Sequence, residues 1–401
     1  MTTLSSPSAS DASVVRPPEQ KLSPADWIQR NLFDSWISSI LTLASAAILF
    51  WVITTFGNWA FNQANWSVVS SNLKIFTSGT YPREELWRVW LVLGLVMATL
   101  GSAGGAWGGV LRQYMLGLGI LFGIGALLPF GAAQPLMGGV SIATFAGAAL
   151  AWNRQVWRLG SILIWALVLP IALELLLGGS LPQLRTIRAE QLSGLLLTLI
   201  LAAAALIIAF PIGVLLALGR ANNTLPVVKL FCTVVIELIR GVPLTTILFA
   251  AWLLVPFFLG GISVNLLIRA EVGFILFTAV YVAEDVRGGL QAVSRGQVEA
   301  ARAIGLNPFQ ITLLVVLPQA LRVSVPALVN EFLTLFKDTS LVFIIGLIDL
   351  LQAGRVVFTN PDWLGTQKEV LFFIGLIYFI CCYAMAYAAK RIEANLGLGE
   401  R

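Results

Sequence analysis

The sequence predicts an all-α integral membrane protein, a polytopic helical bundle. Of its 401 residues, 58% are hydrophobic and only 11% are charged, and the mean hydropathy is +0.87. A soluble domain has a charged share of about 25%. Because a membrane-spanning helix needs about 20 mainly apolar residues, the chain is best counted in helices of that length.

The amino-terminal part combines a polar tail with a run of apolar segments. Residues 1–37 are rich in Ser, Pro and charge and contain no signal-peptide core, which predicts a disordered cytoplasmic tail. Residues 38–180 are predicted to form a transmembrane extension of about five spans, near 38–56, 88–106, 114–131, 137–152 and 159–178. Three spans are the alternative, if 107–152 holds re-entrant or interfacial segments.

The carboxy-terminal part begins after a break at 179–190 that carries Gly, Pro and charge. Apolar spans are predicted near 191–219, 227–258, 271–290, 322–351 and 369–389. The second and the fourth of these are long and carry internal charges.

The positions of Lys and Arg in the loops of this second half predict the orientation. One side has nine of them: Arg220, Lys229, Arg287, Arg295, Arg302, Arg322, Lys390, Arg391 and Arg401. The other side has three: Arg269, Arg355 and Lys368. Both termini and the loop near residue 300 are therefore expected in the cytoplasm, with 179–190 outside.

Several classes of site are disfavoured by composition. The chain has no histidine, and its three cysteines lie in apolar runs without ligand spacing, so neither a metal site nor a disulfide framework is expected. The basic residues form no tract for nucleic acid. No G-x-x-x-x-G-K-[ST] loop is present, so no nucleotide site and no cofactor are expected in this chain. No catalytic residue is predicted.

The stretch 294–318 is polar at first and then apolar for only seven residues before a proline. Ser294 with Gln297 has the capping-box spacing, Gly305 suits a left-handed helix end, and Asn307 followed by a proline suits a second helix start. Pro318 is expected to limit that second helix. Two short helices should therefore meet at a fixed turn and protrude as a docking unit; an ordinary interfacial amphipathic loop is the alternative.

The order EAA, three residues, Gly, nine residues, an aliphatic residue, any residue and Leu-Pro resembles the signature of ABC importer permeases. The matching residues are Glu299, Ala300, Ala301, Gly305, Leu317 and Pro318. IRGVPL at 239–244, YVAEDVRGGLQ at 281–291 and NEFLTLFKDTSLV at 330–342 are similar to motifs of the polar amino acid uptake branch. The likeness covers 190–392, and the long extension before it resembles general L-amino acid permeases.

This resemblance implies a five-helix type I ABC importer permease core over 190–392 in a bacterial inner membrane. Residues 294–318 would be cytoplasmic coupling helices, in which Glu299 contacts an ABC ATPase dimer, Ala300 and Ala301 allow close packing, and Gly305 makes the turn. ATP and Mg would bind to that separate ATPase. A second permease subunit, identical or sister, an external solute-binding protein and an amino acid substrate are the other implied partners besides the lipid bilayer.

Charged residues at membrane depth are candidates for the translocation pathway, because their desolvation is costly. On a helical wheel one sector of about 120° collects Asn330, Glu331, Thr334, Lys337 and Asp338. This stripe offers both charges that an amino acid zwitterion needs, or it is an internally satisfied polar seam. Glu237 with Arg240, and Glu284 with Arg287, have the i, i+3 spacing of ion pairs on one helix. The first pair precedes Gly241 and Pro243, so it is also a pathway candidate.

Two other functions remain as alternatives. An ion-gradient-driven secondary transporter of small polar solutes would use the same buried charges as an ion site, but it has no need of a docking unit. A membrane-embedded enzyme lacks a catalytic group in this sequence, which has no G-x-S-x-G motif.

Overall fold

A computed structural model describes residues 23–129, 131–179, 182–260 and 264–395. Over these ranges the chain is helical and contains no β-strand. Contacts between Cα atoms divide it into two compact units, residues 1–65 and 66–401.

The described part of the first unit consists of two helices, α1 (Pro24–Leu32) and α2 (Trp36–Asn58), the second extended by a π-helical turn, Trp59–Gln63. The Asp26 amide donates to Ser23 Oγ at 3.2 Å, which caps α1 with a proline in its first turn. The prediction of a disordered tail is therefore wrong for 24–32, because a cap and an N1 proline specify a helix there. Residues 1–22 of the predicted tail lie outside the described residues.

The second unit begins with two short helices and four long ones: α3 (Ser67–Ser71), α4 (Leu73–Ser78), α5 (Leu86–Trp107), α6 (Gly109–Leu127), α7 (Gln134–Ala151) and α8 (Val156–Leu177). Small residues bring α5 and α7 into backbone contact. A Cβ built on Gly147 would lie 2.1 Å from the Ala98 carbonyl oxygen, and one on Gly101 would lie 2.0 Å from that of Thr144. In a bilayer the hydrophobic effect does not drive helices together, and close packing through small residues is one way in which they associate.

The next helices are α9 (Gly194–Ala221), α10 (Pro226–Arg240), α11 (Leu244–Phe258) and α12 (Leu266–Ala292). α9 packs along α12, where a Cβ on Gly213 would lie 2.7 Å from the Ala279 carbonyl oxygen. The predicted span 227–258 is not one straight helix, since α10 and α11 meet at 110° as a broken span or a re-entrant pair. The break falls at Gly241 to Pro243, where a proline cannot continue the backbone hydrogen bonding of α10.

The chain continues through α13 (Arg295–Ala303), α14 (Pro308–Gln310), a π-helical segment (Ile311–Val316), α15 (Leu317–Asp338), a 3-10 turn (Thr339–Ile345), α16 (Leu350–Phe358) and α17 (Gln367–Asn395). The predicted span 322–351 has the wrong ends. Its helix starts earlier and stops at Gly346, whose φ is +93°, and α16 begins anew at Asp349, whose carboxylate accepts the Leu351 and Gln352 amides.

Within the described ranges, nine helices are long and apolar enough to cross a membrane, or up to ten if α10 and α11 together form one span. Five of the nine precede residue 180: Trp36–Gln63, Arg83–Trp107, Gly109–Leu127, Gln134–Ala151 and Val156–Leu177. By length and composition these agree with the five predicted N-terminal spans rather than with three. The all-helical, polytopic fold class is confirmed.

Candidate functional site

The turn predicted within 294–318 is a complete helix-ending motif. Gly305 follows Ile304, the residue that caps the end of α13, and has a φ of +85°. Its amide donates to the Arg302 carbonyl at 2.9 Å, and the Leu306 amide donates to the Ala301 carbonyl at 3.2 Å. These two bonds are those of a Schellman motif, which fixes the direction in which the chain leaves the helix.

The second half of the turn is fixed by Asn307. The Gln310 amide donates to Asn307 Oδ1 at 2.9 Å, and the Asn307 amide donates to Gln310 Oε1 at 3.0 Å. This reciprocal capping box forms where a helix start was predicted. The capping box predicted for Ser294 and Gln297 does not form. Ser294 is the N-cap residue of α13, but its side chain makes no capping hydrogen bond.

Pro318 does not end the second helix, and this prediction is wrong. The π-helical segment widens the turns immediately before the proline, and α15 continues through it to Asp338. A wider turn relieves the clash between a proline ring and the preceding carbonyl, and it tolerates the missing N–H. The stretch predicted to dock is therefore one short helix followed by the start of a 38-residue helical segment, Pro308–Ile345.

The surface of this unit is part charged and part apolar. Glu299 and Ala300 are exposed on α13, whereas Ala301 is only 4% exposed. α13 packs on the π-helical segment, so Ala301 serves packing within the chain. Ile304 and Phe309 flank the turn with 77% and 73% of their surfaces exposed. Sequence reasoning missed these two side chains, although large apolar residues beside a predicted exposed turn are the signal that could have found them.

Five charged side chains meet where α9 and α10 end and α12 approaches its end. Glu284 contacts the guanidinium groups of Arg220 at 2.8 Å, Arg287 at 2.8 Å and Arg240 at 3.4 Å. Arg220 also contacts Glu237 at 2.7 Å. We call these five residues the arginine cluster. The cluster contains three cations and two anions, and its ion pairs connect α9, α10 and α12 around the carboxylate of Glu284.

The i, i+3 pairing was predicted correctly for Glu284 and Arg287. For Glu237 and Arg240 the structure gives a different arrangement, since each pairs with another helix. The packing of α9 against α10 and α12 brings Arg220 within reach, which spacing along one helix cannot show. Sequence reasoning counted Arg220 only as an orientation marker and missed it as a partner.

The polar stripe lies on the last turns of α15. Asn330, Thr334 and Lys337 are exposed in this single chain, and Glu331 and Asp338 are half-buried. Among the described residues, none of the three charged side chains of the stripe forms an ion pair. Within the described chain, no ion pair joins the stripe to the arginine cluster, and none neutralises the stripe internally.

No group of three or more His, Cys, Asp or Glu side chains in the described part of the chain could hold a metal ion. Cys232 is buried, and Cys381 and Cys382 are half-buried free thiols.

The bundle of long apolar helices agrees with the comparisons with known proteins. A model of the family of binding-protein-dependent transport system inner membrane components matches residues 209–396. The chain is 36% identical over 390 residues to the inner membrane amino-acid ABC transporter permease protein YhdY of Escherichia coli K12, with 93% of each chain covered. The chain belongs to this family.

Other relatives of this inner membrane component include BztC of Rhodobacter capsulatus, a glutamate/glutamine/aspartate/asparagine transport system permease protein. The chain is 32% identical to it, and 96% of each chain is covered. A crystal structure of an amino acid ABC transporter with histidines shares 30% identity over 50% of this chain and 92% of that one, with a TM-score of 0.45. By its two full-length relatives, the protein is a multi-pass inner membrane permease of an ABC transporter, and a secondary transporter is not favoured.

Proposed function

We propose that this permease carries amino acids into the cell, as part of an importer driven by a separate ABC ATPase dimer that binds ATP and Mg. The observation that carries the coupling part is the fixed turn of α13, with Glu299, Ile304 and Phe309 exposed around it. A surface that is apolar, rigid and rimmed by charge is suited to docking in a cleft. The amino acid cargo rests on the names of the full-length relatives.

The remaining partners are proposed because a single chain leaves polar side chains of α15 exposed. Residues 190–392 are proposed as the core, and in this single chain the stripe of α15 keeps three polar side chains exposed. A second permease subunit, sister or identical, would cover that surface and enclose a pathway with it. An external solute-binding protein would deliver the cargo.

A pull-down of the full chain in mild detergent, followed by mass spectrometry, tests this assembly. We expect an ATPase subunit and a permease subunit to co-purify, and Glu299→Lys to lose the ATPase while retaining the permease. Recovery of the chain with neither partner would contradict the proposal.

The orientation proposed from the charges has its own test. In a variant without the three native cysteines, a cysteine at position 183 or 360 should react with a membrane-impermeant thiol reagent added outside, because few cations flank those loops. A cysteine at 297 should react only after the membrane is opened. The opposite sidedness would show that the Lys and Arg count misassigns the loops.

The polar stripe is proposed to contact the cargo. Lys337→Ala and Asp338→Ala should each weaken apparent substrate affinity in transport by about 10- to 150-fold, since one charge-assisted hydrogen bond is worth about 1.5–3 kcal/mol. Thermal stability and assembly with the ATPase should be unchanged. A structural seam predicts the reverse: each single variant would be destabilised, and the double variant would regain both stability and transport.

A further inference from the structure

A cavity of about 660 Å³ lies between the N-terminal extension and the core, within the second unit. It is bounded by α4, by the first half of α5, by the second half of α8 and by the first half of α9. Eighteen of its lining residues are apolar, among them Val89, Leu93, Leu169, Ile200 and Ala203. Its three polar residues, Lys74, Thr77 and Ser78, all come from α4.

The depth of this cavity matches one leaflet of a bilayer. Its lining runs along α5 from Leu86 to Val96 and along α9 from Leu195 to Ile207. At 1.5 Å per residue these lengths are about 15 and 18 Å, and half of a hydrocarbon core is about 15 Å. Leu199, which lines the cavity, is 47% exposed, so the cavity is open to the surface of the chain.

The polar end of the cavity has an ammonium group with unused hydrogen-bond donors. Lys74 Nζ donates to the Gly79 carbonyl at 2.8 Å, and this is its one acceptor in the described chain. An ammonium has three donors, so two are available to a ligand. Burial lowers the pKa of Lys74, with the Arg83 charge acting in the same direction and that of Glu84 against it. A bound anion would oppose both of the lowering effects.

The helices on either side of the cavity make little direct contact with each other. α4 packs on α9, and α5 packs on α8, but neither α5 nor α8 packs extensively on α9. Leu176, Leu197 and Leu201 are fully buried in one apolar cluster, against which the lining residues Val89 and Leu196 also pack.

We propose that this cavity is a binding site for a membrane phospholipid, with its phosphate at Lys74 and one acyl chain between α5, α8 and α9. A phospholipid has an anionic phosphate joined to apolar chains. The cavity has one cation among its lining residues, Lys74, at the end of an apolar groove that is about one leaflet deep. The bound chain fills the gap between extension and core and so joins them.

Photo-labelling tests this site in the full chain, reconstituted in vesicles of phosphatidylethanolamine and phosphatidylglycerol. The probe is a trace of phosphatidylglycerol with a diazirine on one acyl chain. Labelled peptides should come from α5, α8 and α9, and Ala203→Trp, which fills the groove, should reduce that labelling at least about fivefold by excluding the chain. Leu215→Trp is the matched control, because Leu215 lies on the same helix, is 68% exposed and does not line the cavity.

A second variant keeps the test valid if Ala203→Trp fails to fold. Lys74→Gln should lower phospholipid retained after detergent purification by about 10-fold or more, and Lys74→Arg should restore it. The proposal would be overturned if the two tryptophan variants were labelled equally and Lys74→Gln retained as much phospholipid as the unmodified chain. The probe would then be reporting only the lipid that surrounds any membrane protein. Retention of a free fatty acid without phospholipid would overturn the assignment of the head group.

Discussion

Replacing Gly305 with valine should abolish ATP-driven uptake while the protein still inserts in the membrane. The φ of Gly305 is +85°, in the left-handed region that costs an L-residue about 1–2 kcal/mol, and a β-branched residue is disfavoured further. A Cβ there would meet no atom within 4 Å, so the effect acts through the backbone of the turn alone. Radiolabelled amino acid uptake into proteoliposomes containing the whole importer measures it.

Two controls separate the turn from general damage. Gly296→Val places the same residue on the exposed face of α13, where φ is not positive and no atom lies within 4 Å of a built Cβ. Its uptake should fall by much less than that of Gly305→Val. Glu299→Lys should abolish uptake by reversing the contact charge, whereas Gln297→Lys adds the same charge on another side of α13 and should be tolerated. Normal uptake in both Gly305→Val and Glu299→Lys would refute the coupling role.

Removing the central charge of the arginine cluster should destabilise the permease more than removing its outer one. Glu284→Gln leaves Arg240 and Arg287 without an ion-pair partner in the described chain and leaves Arg220 with Glu237 alone. The side chain of Glu284 is only 14% exposed, so the loss should be about 1.5–3 kcal/mol and lower the midpoint of thermal unfolding by several degrees.

Glu237→Gln is the matched control for this variant. Glu237 contacts one arginine, and its side chain is 54% exposed, so the loss should be at most about 1 kcal/mol. Equal, small shifts in the unfolding midpoints of the two variants would show that the cluster does not hold the ends of α9, α10 and α12 together.

Features that depend on the chemistry of a few adjacent residues could be predicted from the sequence. The left-handed turn at Gly305 and the capped start at Asn307 occur as predicted, because glycine and asparagine specify them through their own backbone and side-chain bonding. The five N-terminal apolar helices occur close to their predicted ranges, since each has the length that a bilayer requires.

Features that depend on neighbouring elements could not be predicted in this way. Pro318 was expected to end a helix, but a π-helical segment just before it accommodates the ring, and no single residue announces such a segment. The spacing of Glu237 and Arg240 allows an ion pair on one helix or a place on the pathway, but the packing of the helices pairs Glu237 with Arg220 and Arg240 with Glu284. The cavity at Lys74 was also missed, because no helix was predicted at 67–78 and a cavity between helices cannot be recognised from the sequence of any one of them.

ATP dependence of transport tests the central claim most directly. The whole importer in proteoliposomes should take up a labelled amino acid only when ATP and Mg are supplied to the ATPase. A non-hydrolysable ATP analogue should not support uptake, and dissipation of sodium and proton gradients should not reduce it. Uptake by this permease alone, driven by an imposed ion gradient without ATP, would contradict the account.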